Sequence, residues 1–97
     1  MKITFSPHFK RALESILTYI GKESKAKAKQ FNKDLFIAIG TLDHFPYKCR
    51  RSIYFESEEV RDYVFMGYTI PYLIDKPKDT IVILDIFKWT DHERKEI

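Results

Sequence analysis

Lys48, Arg50 and Arg51 place three cations within four positions, and Tyr47 and Tyr54 flank them. Cations at that density can meet phosphates, and neighbouring rings can stack on bases. The cluster is therefore a candidate nucleic-acid or target contact; its plainer reading is a basic turn between helix and sheet. Arg61 alternates with Tyr63 and Phe65, so the three share one face of an extended segment. Arg61 could contact an anion on a sheet surface that no helix covers, or simply pair with Glu58 or Glu59 in the acidic turn before it. Tyr68 and Tyr72 also share a face, as binding rings or as core rings with a polar tip. Lys88, Trp89 and His92 complete the set. Lys88 or His92 could transfer a proton. Trp89 could anchor a partner or cap the core. The catalytic candidates are thus Arg61, Lys88 and His92. The nucleic-acid or target-binding candidates are Lys48, Arg50, Arg51, Arg61, Tyr68, Tyr72 and Trp89.

Lys22, Lys25, Lys29 and Lys33 step by three, four and four, which on a helix makes one basic stripe. Such a stripe can contact phosphates or merely keep a helix face solvated. Other chemistry is hard to build. Gly21, Gly40 and Gly67 form no phosphate-cradling loop, and His8, His44 and His92 lie far apart. Cys49 is the lone cysteine, so no intramolecular disulfide or multi-cysteine metal site is expected. No serine elbow is present. Metalloenzyme, nucleotide hydrolase and triad hydrolase are all disfavoured, and neither metal nor cofactor is expected.

The elements that must position these residues change in texture along the chain. Ile3, Thr4 and Phe5 predict a short strand. Ser6 and Pro7 predict a helix start, with Ser6 as N-cap. Phe9, Leu13, Ile16, Leu17 and Ile20 recur at helical spacing, and Gly21 is the expected stop. A second helix is expected from Ser24, with Ala28, Phe31, Leu35, Ala38, Ile39 and Leu42 as its apolar stripe. His44, Phe45 and Pro46 end it. The short break implies an antiparallel helical hairpin. Strands are predicted over 52–55, 60–66, 68–74 and 80–87, the last as a central strand buried on both faces. Pro71 predicts an edge strand, or pairing only through its carbonyl at that point. Short loops imply hairpins, hence an α+β fold with a largely antiparallel sheet of three to four strands and helices on one face. The 97 residues suit a single domain, and the net charge of +3 suits an acidic partner. With no secretory leader and no long apolar run, the chain reads as cytoplasmic.

The ordered features resemble the RelE/ParE toxin family of bacterial type II toxin–antitoxin systems. The resemblance rests on the opening strand, the Leu13-x-x-Ile16-x-x-Tyr19-Ile20 helix and the Ala28-x-x-Phe31-x-x-x-Leu35 helix. It continues through the Leu42-x-x-Phe45-Pro46 exit, Val60-Arg61, Gly67-Tyr68-x-Ile70-x-Tyr72 and Ile81-x-Ile83-Leu84. It implies a cognate antitoxin partner. Two activities occur in the family. RelE-like members are ribosome-dependent mRNA endonucleases, in which an Arg directly follows the first Tyr of the Tyr-x-x-x-Tyr strand. Thr69 holds that position here. A further Arg usually follows the last strand, where this chain has Asp91 or His92. If the chain is an enzyme, this resemblance makes it an mRNA endoribonuclease, with Lys48, Arg50, Arg51 and Arg61 holding phosphate. ParE-like members lack that constellation and inhibit DNA gyrase. The helical hairpin, and Arg61 ahead of the Tyr68–Tyr72 strand, look more like that branch. A binding domain without toxicity is the third reading.

Overall fold

The computed structural model describes residues 1–88. Strand β1 (Lys2–Phe5) leads into helix α1 (Pro7–Glu23), and helix α2 (Lys25–Gly40) returns antiparallel to it. A 3-10 turn, Thr41–Asp43, closes the helical part. The sheet follows as β2 (Arg50–Arg51), β3 (Val60–Phe65), β4 (Tyr68–Asp75), β5 (Thr80–Ile83) and β6 (Phe87–Lys88). Its order is β1-β5-β4-β3-β2, with β6 also on β4. All pairings are antiparallel except β1 with β5. The fold is the expected α+β arrangement, with six strands where three to four are expected, because β1 joins the sheet and the two-residue strands β2 and β6 add to it.

Local chemistry explains the helix ends. Ser6 caps α1 by accepting from Phe9 N at 3.0 Å, and Pro7 sits at the first helical position. The same hydroxyl donates to the Leu84 carbonyl at 2.8 Å, which ties the helix start to the sheet. α1 does not stop at Gly21 but runs to Glu23. Ser24 ends it in extended geometry, and its N–H donates to Ile20 O. Ser24 also caps α2 by accepting from Lys27 N at 3.1 Å. One extended residue therefore does the work of a glycine stop and a helix start. The junction also splits the basic stripe: Lys22 belongs to α1, and only Lys25, Lys29 and Lys33 to α2.

Phe9 and Leu13 from α1 and Phe31, Leu35 and Ile39 from α2 bury against one sheet face. That face carries Ile70, Tyr72 and Ile74 of β4, with Ile81 and Ile83 of β5 opposite them. Alternation along each strand sets this face. β5 buries only Ile81 and Ile83, leaving Thr80 and Val82 half-buried. The doubly buried strand is instead β4, where residues 69–72 are all buried. Pro71 is thus interior and not on an edge. The sheet tolerates it because Pro71 needs only its carbonyl, which accepts from Leu84 N at 2.9 Å.

The expected strand over 80–87 is interrupted. Tyr72 pairs with Ile83, whereas Thr69 pairs with Phe87, so the 84–86 segment holds one residue more than its partner needs. That is a β-bulge. It returns Ile86 to the core and turns Phe87 to the other face, where its ring lies 5.1 Å from Tyr54. Residues 52–55 form no strand; the edge strand is Arg50–Arg51. Asp62 captures Ile53 N at 3.2 Å and so pulls this segment off the ladder. Met66 (φ 48) and Gly67 (φ 85) make the two-residue turn between β3 and β4. Positive φ at both positions marks the turn whose twist suits a hairpin.

Candidate functional site

The three clustered cations separate into different environments. Lys48 is exposed and makes no ion pair among the described residues. Arg50 and Arg51 lie in β2, not in a turn. Arg50 reaches Asp62 at 3.5 Å, and the Asp62 side chain is 0 % exposed. Arg50 is therefore half structural, since it helps neutralise a carboxylate that has left water. Arg51 meets the exposed Glu58 at 3.8 Å, a contact that solvent weakens. Together they leave a basic rim along the short edge strand.

Arg61 does not lie on a sheet surface free of cover. Its pairing with Tyr72 places it on the helix-facing side, beneath the loop that leaves the helices. It does not pair with Glu58 or Glu59 either. Arg61 Nη1 donates to the Cys49 carbonyl at 3.2 Å, and the guanidinium carbon lies 4.8 Å from the Tyr47 ring centre. Lys76 Nζ approaches the same ring at 5.1 Å. The Tyr47 hydroxyl donates to Glu59 Oε2 at 2.8 Å. The two cations gain from the ring's negative face, typically about 0.5–2 kcal/mol each according to desolvation. Arg61 therefore fastens the 46–49 loop to the sheet.

Tyr72 is fully buried, and its hydroxyl donates to the Pro46 carbonyl at 2.6 Å. Burial, then the Cys49 thiol beside it, drives the phenol pKa well above the usual tyrosine range. Tyr72 keeps its proton at any physiological pH, so it serves neither as a base nor as an exposed stacking ring. Thr69, where the resemblance to RelE-like members would place an Arg, is 1 % exposed.

Tyr68 lies roughly 13 Å from Tyr72 along the strand. Its ring packs on Phe31 at 5.4 Å, and Lys88 Nζ stands 5.9 Å from its centre. These two residues border a groove of about 410 Å³ that Ala12, Ser15, Ile16 and Tyr19 of α1 complete. Tyr19 is 63 % exposed. The predicted residues thus do not form one site: Arg61 and Tyr72 share the helix-facing side of the sheet, Arg50 goes with Asp62 to the other face, Lys48 and Arg51 are exposed, and Tyr68 and Lys88 border the groove. Trp89 and His92 lie outside the described residues. In the sequence the α1 wall is legible only as helix: Ile16 belongs to the apolar stripe, and Ala12 and Tyr19 stand four before and three after it. Tyr47 is legible in the sequence only as a ring flanking the basic cluster, and Lys76 and Asp62 give no signal, because their roles depend on chain segments distant in sequence.

Among the described residues, no group of three or more His, Cys, Asp or Glu side chains could hold a metal ion. No helix there is long and apolar enough to cross a membrane. The family described as ParE toxin of type II toxin-antitoxin system, parDE, matches residues 3–91. The chain belongs to the ParE toxin family. No curated protein matches the sequence. Among solved structures, this ParE-family chain is similar to one described as the chromosomal ParDE TA system from P. aeruginosa. The two share 19% sequence identity and superpose with a TM-score of 0.74. The match covers 91% of this chain and 95% of the other. At that identity the likeness speaks for the fold, whereas the family match carries the assignment as a toxin of a type II system. Such a system implies an antitoxin partner.

Proposed function

We propose that this ParE-family toxin acts in the cytoplasm by binding a protein target, DNA gyrase, and that a cognate antitoxin neutralises it. The supporting observation is the fate of Tyr72 and Arg61. One holds its proton inside the core, and the other is fastened to a backbone carbonyl and a ring. Phosphoryl cleavage needs a proton carrier and cations aimed at developing charge. Arg61, a catalytic candidate, and Tyr72 are both committed to the fold, while Lys88 stays exposed at the groove margin and His92 lies outside the described residues. The exposed basic rim and the apolar groove beside α1 suit docking to macromolecules instead. The groove, with Lys88 at its margin, would take an acidic amphipathic antitoxin segment.

The rival reading is a ribosome-dependent mRNA endonuclease. The exposure of Lys48, Arg50 and Arg51 favours it, because cations at a strand edge can meet phosphates. Induction of the chain without antitoxin separates the readings. Growth arrest with accumulated cleaved DNA–gyrase complexes and intact mRNA supports the proposal. Ribosome-dependent mRNA cuts support the rival. Normal growth at high soluble expression points to a binding domain without toxicity.

A further inference from the structure

We propose that two copies of this chain pair through the outer edge of β1 and the groove beside it. β1 has a strand neighbour on one side only, β5. Lys2 N and Ser6 N donate toward that neighbour, to the carbonyls of Asp79 and Ile83. Alternation then turns the N–H and C=O groups of Ile3 and Phe5 outward. An open strand edge is a template for another strand. Next to it lies a groove of about 460 Å³, lined by Phe5, Phe9, Leu13 and Phe36, with Lys10 and Glu14 on its rim. Phe5 meets Phe9 and Phe36 at ring distances of 5.5 Å and 5.3 Å, and Phe36 remains 38% exposed. Partly exposed phenylalanine beside an open edge marks an interaction surface.

The occupant is identified by self-complementarity. A two-fold interface uses the same patch twice, so the patch must fit itself. With Thr4 on the axis, Ile3 of each copy faces Phe5 of the other, and about four backbone hydrogen bonds close an antiparallel ladder. The rim meets the same condition. Lys10 and Glu14 stand one turn apart on α1, both exposed, and neither makes an ion pair among the described residues. Reversal by the two-fold axis brings Lys10 of one copy to Glu14 of the other. An acidic peptide would meet Glu14 and a basic one Lys10, whereas a second copy satisfies both. This surface uses α1 residues other than those that line the Tyr68–Lys88 groove.

Sedimentation equilibrium on the full chain, made by cell-free synthesis, tests the pairing. The wild-type chain should dimerise with concentration, and Phe36→Lys should leave it monomeric while its circular dichroism is unchanged. Lys10→Glu alone and Glu14→Lys alone should each weaken the dimer about tenfold, because symmetry places each pair in the interface twice. The double swap should return to within about twofold of wild type. An equimolar mixture of the two single variants should form a heterodimer tighter than either homodimer. A chain that stays monomeric up to roughly 100 µM, a range in which even weak dimers appear, overturns the proposal. So does a double swap no better than the single variants.

Discussion

The Tyr72 hydroxyl donates to the Pro46 carbonyl at 2.6 Å, across 26 positions of sequence. This bond fastens the loop that leaves the helices onto the most buried strand of the sheet. Arg61, opposite Tyr72 in the strand pair, makes the second attachment through the Cys49 carbonyl. Arg61, a catalytic candidate, and Tyr72, a binding candidate, are thus a loop anchor.

Tyr72→Phe removes the donor and leaves the Pro46 carbonyl without its partner. The expected loss is about 1–3 kcal/mol in urea unfolding. Growth inhibition should persist once folded protein is matched. Alkaline pH should expose the same bond. Burial raises the Tyr72 pKa in the folded state, so above the ordinary tyrosine value, about 10, the unfolded chain gives up a proton that the folded chain keeps. Stability from this group is complete below that value and falls as pH rises past it. The difference between wild type and Tyr72→Phe should therefore shrink from about pH 10 upward.

Ser6 has two tasks that substitution can separate. Ser6→Ala loses both the α1 cap and the bond to Leu84, and should cost about 1–3 kcal/mol. Ser6→Asp still caps the helix but cannot donate to the Leu84 carbonyl. It should recover only part of the loss, as thermal unfolding of the three proteins would read.

The basic rim should divide in the same way. Arg50→Ala leaves the buried Asp62 carboxylate with the Ile53 N–H but no cation, and should cost about 1–2 kcal/mol after allowance for the solvent around Arg50. Lys48→Ala and Arg51→Ala should each stay within about 0.5 kcal/mol of wild type. If the rim serves the target, those two stable variants together should weaken growth arrest at equal expression.

Met66 sits at φ 48 in the tight turn between β3 and β4, where a side chain is strained. Met66→Asn suits the turn better and should stabilise the fold by about 0.5–1 kcal/mol. A midpoint shift in urea with an unchanged slope would confirm it.

Sequence legibility followed the range of the forces involved. Ser6, Pro7 and Ser24 act within a few residues, so the helix starts were readable. Gly21 misled because Ser24, in extended geometry, ended α1 with the same residue that starts α2. The β5–β6 break was hidden, since a one-residue slip leaves the apolar run 80–87 unchanged in composition. Tyr68 and Tyr72 were rightly set on one face, but alternation alone could not say which face Arg61 shares with the helices. That depended on the 46–49 loop folding over it, a contact between distant segments that no local pattern encodes.

A toxin that works by binding gyrase and not by cutting RNA can be recognised in vitro. Purified gyrase with supercoilable plasmid, and purified ribosomes with a translated mRNA, should each be titrated with the chain. The expected result is loss of supercoiling with accumulation of cleaved DNA–gyrase complexes, while the mRNA stays whole. Ribosome-dependent mRNA cleavage with gyrase unaffected would contradict it.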